Sequence, residues 1–220
     1  FFVGLFMFGC GQSSEKFIAK GEEYLKKRKF YDAMMQFRSA AEYDKDSAKA
    51  HWGLARSYEN LGRFNETLDE LRRTVELDPK HLDAKARLGN YFLLFDPPLI
   101  DESEKTQQEI IAIDPNFIEG HVLKASIMAA QNRPEAQVVA KMNEAIAIDP
   151  KRTETYLSLS RYYVTREMAR EAEDTIKKGI EANPGSVVGV IEYGRFLTFA
   201  ARNSEAEVQF RNAIAAEPAN

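Results

Sequence analysis

The chain has 220 residues, of which 44% are hydrophobic and 29% are charged, and it contains 12 glycines and 8 prolines. These proportions are typical of a folded globular protein and exclude a disordered or linker-rich chain. A net charge of -4 provides no basic field for a phosphate backbone, so nucleic acid is not an expected partner. The single cysteine, Cys10, excludes an internal disulfide and a zinc site built from paired cysteines.

The chain begins with an apolar segment, FFVGLFMFGC, that is too short to span a bilayer core of about 30 Å. Because neither a basic residue nor an initiator methionine precedes it, we interpret the segment as the end of a secretory signal peptide. Its last four residues, Met7 to Cys10, resemble the lipobox of bacterial lipoproteins. Met7 and Phe8 replace the leucine and the small residue that this motif usually has.

The lipobox resemblance implies cleavage before Cys10, whose sulfur would carry a diacylglycerol and whose amine is usually acylated as well. Several acyl chains form a stable anchor, whereas a single chain binds reversibly. Gly11 in place of an aspartate favours the outer membrane, and residues 12–14 would form a polar tether. Two alternatives remain open: an uncleaved helix that holds the chain in the inner membrane, with Cys10 inert, and a segment that is not native to the protein.

From residue 14 onward the sequence repeats with a period of 34 to 36 residues. A short motif with proline as its third residue marks the end of every repeat except the first, which has Lys45 in place of the proline. Proline cannot donate a hydrogen bond to the preceding turn, and it disfavours the helical conformation of the residue before it. Each motif is therefore predicted to end a helix: Leu77-Asp78-Pro79, Ile113-Asp114-Pro115, Ile148-Asp149-Pro150, Ala182-Asn183-Pro184 and Ala216-Glu217-Pro218.

Between these motifs, small and large side chains recur at fixed positions, as packing within a helix hairpin requires. The second repeat has Ala55, Tyr58, Gly62, Thr67, Leu71, Thr74 and Pro79; the fifth has Ser160, Tyr163, Ala172, Ile176, Gly179 and Pro184; the sixth has Gly194, Ala206, Phe210, Ala213 and Pro218; the first has Gly21, Tyr24, Ala33, Phe37 and Ala40. This spacing resembles that of the tetratricopeptide repeat (TPR).

The TPR resemblance implies an all-α fold, a right-handed α-solenoid of antiparallel helix pairs. Residues 1–13 would be the anchor and tether, and residues 14–220 the array. The six expected repeats are 14–47, 48–81, 82–117, 118–152, 153–186 and 187–220.

Two repeats depart from the pattern. In the third, Pro97 and Pro98 lengthen the turn, and the second helix is predicted to start near Asp101 or Ser103, either of which can cap it. In the fourth, Pro134 is predicted at the first position of the second helix. Such insertions can be binding features of repeat proteins, or they can simply be tolerated in loops.

The sequence contains no motif that indicates catalysis, a metal site or a cofactor. The three histidines, His51, His81 and His121, are scattered, and no phosphate-binding loop, dinucleotide fingerprint, zinc-protease helix or nucleophile elbow can be identified. We therefore expect no enzymatic activity, no bound metal and no cofactor.

The TPR resemblance also implies a concave groove lined by the first helix of each pair. The residues predicted to face a partner there are Trp52, Arg56, Glu59, Asn90, Leu93, Ser126, Leu157, Arg161, Ile191 and Arg195. Trp52 and Arg56 are the strongest candidates because Trp and Arg often dominate interface energies. In the alternative interpretation, Trp52 fills the core. Three arginines at intervals favour an acidic segment or one with a terminal carboxylate.

The carboxylate clamp of chaperone-binding TPR proteins uses Lys and Asn where this chain has Ile18 and Glu22, which argues against a chaperone adaptor. The predicted function is a non-catalytic protein-interaction scaffold, anchored in a bacterial envelope and facing the periplasm, that serves assembly or export machinery. The alternatives are a structural subunit of a larger membrane complex held by an uncleaved helix, and an enzyme or sensor whose catalytic domain follows residue 220.

Overall fold

The computed structural model describes the backbone of residues 10–216 and the side chains of residues 14–216. Over this range the chain contains helices and turns but no strand. The helices are α1 (Cys10–Lys26), α2 (Phe30–Tyr43), α3 (Ala48–Asn60), α4 (Phe64–Leu77), α5 (Leu82–Phe92), α6 (Ile100–Ile113), α7 (Ile118–Ala130), α8 (Glu135–Ile148), α9 (Thr153–Thr165), α10 (Ala169–Ala182), α11 (Val187–Phe199) and α12 (Asn203–Ala216).

The helices pack in consecutive pairs, and each pair coincides with one predicted repeat. The prediction of an all-α fold built from antiparallel helix pairs is confirmed. The chain divides into two compact units with the boundary after Ile113, so that each unit holds three pairs. Within each unit, the second helix of a pair also packs against the first helix of the next pair.

The N-terminal predictions fall at the edge of the described chain. The lipobox and the lipid-attachment prediction for Cys10 lie outside the residues whose side chains are described. Helix α1 begins at Cys10, so residues 12–14, predicted as a tether, belong to this helix. None of the helices between residues 10 and 216 is both long and apolar enough to cross a bilayer.

A recurring turn ends the helix pairs. In the second repeat the amide of Asp78 donates to the Thr74 carbonyl (2.8 Å), and the Asp78 carboxylate accepts from the Lys80 amide (3.1 Å). Pro79, which lies between them, has no amide and cannot extend the helix. The same carboxylate bond closes the turns at Asp44, Asp114 and Asp149.

In five of the six helix pairs described, all but the third, the turn inside the pair places one residue in the left-handed region. This residue is Arg28, Gly62, Asn132, Glu167 or Ala201, with φ between 54° and 70°. Only the second repeat has glycine there, the residue that adopts this conformation without steric cost. The other four repeats therefore tolerate a strained backbone at the same position.

The core between helices depends on large side chains that lie against glycine. The Phe37 ring, which is fully buried, packs against Gly21 on α1 and Gly53 on α3. Phe210 on α12 occupies the equivalent place against Gly194 on α11. A missing Cβ on one helix thus makes room for an aromatic ring from another, as the repeat spacing predicts.

At the starts of two helices, the roles of individual residues differ from prediction. Helix α6 begins at Ile100, which agrees with a start near Asp101, but Asp101 is its second residue rather than its cap. Ser103 is not the cap either: it is fully buried and donates to the Gly89 carbonyl (2.9 Å), which joins α6 to α5. Pro134 is the N-cap of α8 rather than its first helical residue. Both errors arise at turns where local signals offered several starting points.

Candidate functional site

A cleft in the second unit brings several predicted groove residues together. It has a volume of about 210 Å³ and opens between α9 and α11, with one residue of α10 at its base. Its lining residues are Leu157, Ser160, Arg161, Val164, Ile176, Glu192, Arg195, Phe196 and Phe199.

The floor and one wall of this cleft are apolar. Leu157 and Ile176 are buried and belong to the hydrophobic core of the last two repeats. Phe199 is 83% exposed, although it ends a helix whose other aromatic residues are at least half buried. Val164 is also partly exposed. A partner side chain that entered the cleft would therefore cover apolar surface that now faces water.

Two guanidinium groups lie beside this apolar surface. Arg195 pairs with Glu192 (2.6 Å) within α11. Arg161 donates to the Ser158 hydroxyl (3.0 Å) and has no carboxylate partner within residues 14–216. Because a guanidinium carries five donors in a planar fork, Arg161 keeps donors available for a carboxylate. The cleft thus combines an apolar pocket with an incompletely paired positive charge.

Of the residues predicted for the second unit, Leu157, Arg161 and Arg195 line the cleft. Ile191 is half-buried and is not among its lining residues. The Ser126 hydroxyl donates to the Val122 carbonyl within α7 (3.1 Å).

The predicted site did not include the other lining residues of the cleft. Spacing along the helix was an available signal for those that lie three or four residues from a predicted one. These are Ser160, Val164, Glu192 and Phe199. Phe196 directly follows Arg195, and Ile176 comes from α10, so spacing within a groove-lining helix does not identify either of them.

In the first unit, Trp52 lies among cations. The guanidinium carbons of Arg56 and Arg87 are 5.3 Å and 5.4 Å from its ring, and the His81 ring lies 4.8 Å away. Trp52 is half-buried and also packs against the core cluster around Leu71. It therefore contacts the core on one side and charged side chains on the other.

These arginines are already paired with carboxylates of the same unit. Arg56 donates to both oxygens of Glu22, and Arg87 forms an ion pair with Glu59. The remaining predicted residues of this unit, Asn90 and Leu93, are half-buried. Asn90 donates to the Ala86 carbonyl (2.9 Å), and Leu93 directly follows α5. The positive charges beside Trp52 are thus already paired with carboxylates, whereas that of Arg161 in the second unit is not.

The histidines have structural contacts. The His51 ring lies between the Glu70 carboxylate (2.6 Å) and the Lys45 carbonyl (3.1 Å). His81 accepts from the Ala84 amide (3.2 Å) and so caps α5. No three metal-binding side chains converge within the described part of the chain.

The helix pairs and the repeat spacing together define the fold of TPR proteins, a fold that serves as a protein-interaction scaffold. The tetratricopeptide repeat family model matches residues 48–81, which form the second helix pair. Solved structures with this fold include TTC0263, a thermophilic TPR protein of Thermus thermophilus, at 17% identity and a TM-score of 0.69, covering 84% of this chain and 99% of that one.

PilW, described as a widely conserved type IV pilus biogenesis factor, is similar over 96% of both chains at 17% identity and a TM-score of 0.62. Among curated proteins, small glutamine-rich tetratricopeptide repeat-containing protein 2 of Mycosarcoma maydis is 22% identical over 134 residues. That match covers 61% of this chain and 37% of the relative's length.

Proposed function

We propose that this chain is a non-catalytic scaffold that binds a segment of another protein in the cleft between α9 and α11. The observation that carries the proposal is the combination, in one cleft, of exposed apolar surface at Phe199 and Val164 with the guanidinium of Arg161. Aromatic residues and Arg are enriched in the buried centres of protein interfaces, and a few such residues carry most of the binding energy. The first unit, with Trp52 and Arg56, is a second candidate surface.

The chemistry of the cleft favours one kind of segment. A volume of about 210 Å³ accommodates one large apolar side chain. Arg161 and Arg195 then lie within reach of a carboxylate next to that side chain, which bidentate hydrogen bonds would hold. The expected ligand is therefore an apolar residue adjacent to a carboxylate, either an acidic side chain or the C-terminus of the partner.

Selection from a displayed library of random peptides with free C-termini tests this expectation. Peptides that bind the full chain should be enriched in a large apolar residue next to Asp, Glu or the terminal carboxylate. Enrichment should disappear with an Arg161→Ala, Phe199→Ala variant and persist with Arg170→Ala, Val208→Ala, which changes exposed residues of the same unit outside the cleft. Enrichment of basic peptides, or equal enrichment by both variants, would contradict the proposal.

We also propose that the scaffold is anchored in a bacterial envelope through Cys10 and serves an assembly or export machinery. The lipobox-like residues 7–10 support the anchor, and the similarity to PilW supports an assembly role. Mass spectrometry of the N-terminal peptide from native membranes provides the test. A peptide that begins at acylated Cys10 is expected, whereas a peptide that retains residues 1–9 would support the alternative, a subunit held by an uncleaved helix.

A further inference from the structure

A basic surface lies on the exposed side of α1, from Lys16 onward, and on the turn that follows it. Its members are Lys16, Lys20, Lys26, Lys27, Arg28 and Lys29, all of which are exposed. Lys16 and Lys20 lie on one face of α1, and Lys27, whose amide still donates to the Glu23 carbonyl (3.1 Å), continues that face just after the helix ends. This surface contrasts with the net charge of -4 of the whole chain.

Few carboxylates offset these cations. Glu15, Glu23 and Asp32 are the exposed acids on the same helix and on the first turn of α2. Glu23 pairs with Lys27 (2.5 Å), whereas Glu22 is directed to Arg56 on α3. Six cations therefore face three carboxylates, and the surface is net positive.

Exposed apolar side chains directly follow the cations in the sequence. Tyr31 is 63% exposed at the start of α2, and Met35, one turn later on the same face, is 39% exposed. The guanidinium of Arg28 lies 6.0 Å from the Phe30 ring. Aromatic residues with a polar tip next to lysines are the combination that favours the boundary between lipid headgroups and acyl chains.

We propose that the basic surface docks onto an anionic bilayer, so that α1 lies along the membrane surface. The proposal does not depend on lipidation of Cys10, because it rests on residues 16–35 alone. A membrane surface is favoured over an acidic protein because the cations are spread from Lys16 to Lys29 over the exposed side of α1 and the turn after it, and exposed Tyr31 and Met35 follow. Flat anionic surfaces match such an arrangement, and each basic residue near them contributes about 1 kcal/mol.

The proposal can be tested with the full chain carrying Cys10→Ser and with sedimentable vesicles of phosphatidylcholine, with and without phosphatidylglycerol. The readout is the ratio of the partition coefficients on anionic and neutral vesicles. Insertion of the apolar N-terminal residues contributes to partitioning onto both vesicle types, so the ratio isolates the part of the binding that depends on the charge of the lipid. We expect a ratio of at least about ten at low ionic strength, falling toward one near 1 M salt, where the Debye length is about 3 Å.

Two variants with the same change in net charge separate the basic surface from general electrostatics. Lys26→Gln, Lys27→Gln, Arg28→Gln, Lys29→Gln should lower the ratio at least about fivefold. Lys49→Gln, Arg72→Gln, Lys80→Gln, Lys178→Gln removes four exposed cations elsewhere and should leave it nearly unchanged. Circular dichroism shows whether both variants remain helical.

A ratio of one for the unmodified surface, or an equal decrease with both variants, would overturn the proposal. Retention on immobilised polyglutamate without any preference for anionic vesicles would also overturn it, in favour of an acidic protein partner. Failure of the cleft to bind peptides would leave this test unaffected, because the two surfaces share no residue.

Discussion

Arg56 on α3 donates two hydrogen bonds to the carboxylate of Glu22 on α1, 34 residues earlier in the chain. Both residues stand one position after the small packing residue of their repeat, Gly21 and Ala55. Two groove positions of successive repeats therefore bind each other. Arg56, which was predicted to contact a partner, instead joins the first two helix pairs of the scaffold.

This pairing predicts a measurable coupling energy. In a double-mutant cycle with Glu22→Gln and Arg56→Gln, we expect a coupling of about 0.5 to 1 kcal/mol, because both side chains are partly exposed to solvent. Denaturant unfolding, followed by far-ultraviolet circular dichroism, provides the measurement. Arg72→Gln, a substitution of an exposed arginine on α4, is the control and should show no coupling with Glu22→Gln. Strict additivity of the first pair would contradict the pairing.

The contacts of Trp52 predict a loss of stability on truncation. Because Trp52 packs against the core of the first unit but is only half-buried, Trp52→Ala should destabilise the protein by about 2 to 4 kcal/mol, somewhat less than a fully buried aromatic. Phe199→Ala is a matched control: its ring is 83% exposed, and its loss should cost less than about 0.5 kcal/mol. Thermal unfolding distinguishes the two. Equal melting temperatures for both variants would mean that Trp52 is a surface residue available to a partner.

The contact between Phe37 and Gly53 leaves no space for a side chain. A Cβ on Gly53 would lie 2.2 to 2.5 Å from three ring carbons of the buried Phe37. Gly53→Ala should therefore destabilise the protein by about 1 to 3 kcal/mol, the usual cost of overpacking. In the control, Gly185→Ala, the nearest atom would lie at 3.7 Å. Adding Phe37→Leu to Gly53→Ala should recover part of the loss; no recovery would show that the strain lies elsewhere.

The surroundings of His51 predict a pH-dependent contribution to stability. The hydrogen bond to the Glu70 carboxylate raises the pKa of His51; burial and Arg73 oppose this, and the Lys45 carbonyl supports it. The pKa of His51 is therefore higher in the folded state than its value of 6.5 in the unfolded state. The resulting stabilisation is fully present below about pH 6.5 and is lost as the pH rises through the folded-state pKa. As the pH rises from about 5.5 to about 9, the melting temperature should therefore decrease less steeply for His51→Gln and Glu70→Gln than for the original chain. An unchanged slope in both variants would contradict the assignment.

The sequence predicted the helix pairs because their signals are local. Pro79 and its equivalents end helices whatever the surroundings, and a small residue opposite a large one, as in Gly194 and Phe210, follows from the repeat spacing. The role of Ser103 could not be predicted, because a serine suits a helix cap as well as the buried hydrogen bond that Ser103 donates to Gly89.

The candidate site was less predictable because its character depends on partners distant in sequence. Arg56 and Arg161 occupy equivalent groove positions, but of these two only Arg56 is paired with a carboxylate, that of Glu22, among the residues whose side chains are described. The exposure of Phe199 likewise depends on how the last two helix pairs pack. Neither fact is visible from spacing along a single helix.

The central claim is that the cleft beside Arg161 binds an apolar residue next to a carboxylate. Titration calorimetry with a selected peptide and with its C-terminal amide, or with Gln in place of its acidic residue, tests the claim directly. We expect neutralisation to weaken binding to the original chain at least about tenfold, corresponding to about 1.4 kcal/mol, and to have little effect on an Arg161→Ala, Arg195→Ala variant. Equal affinities of the charged and neutral peptides for the original chain would contradict the claim.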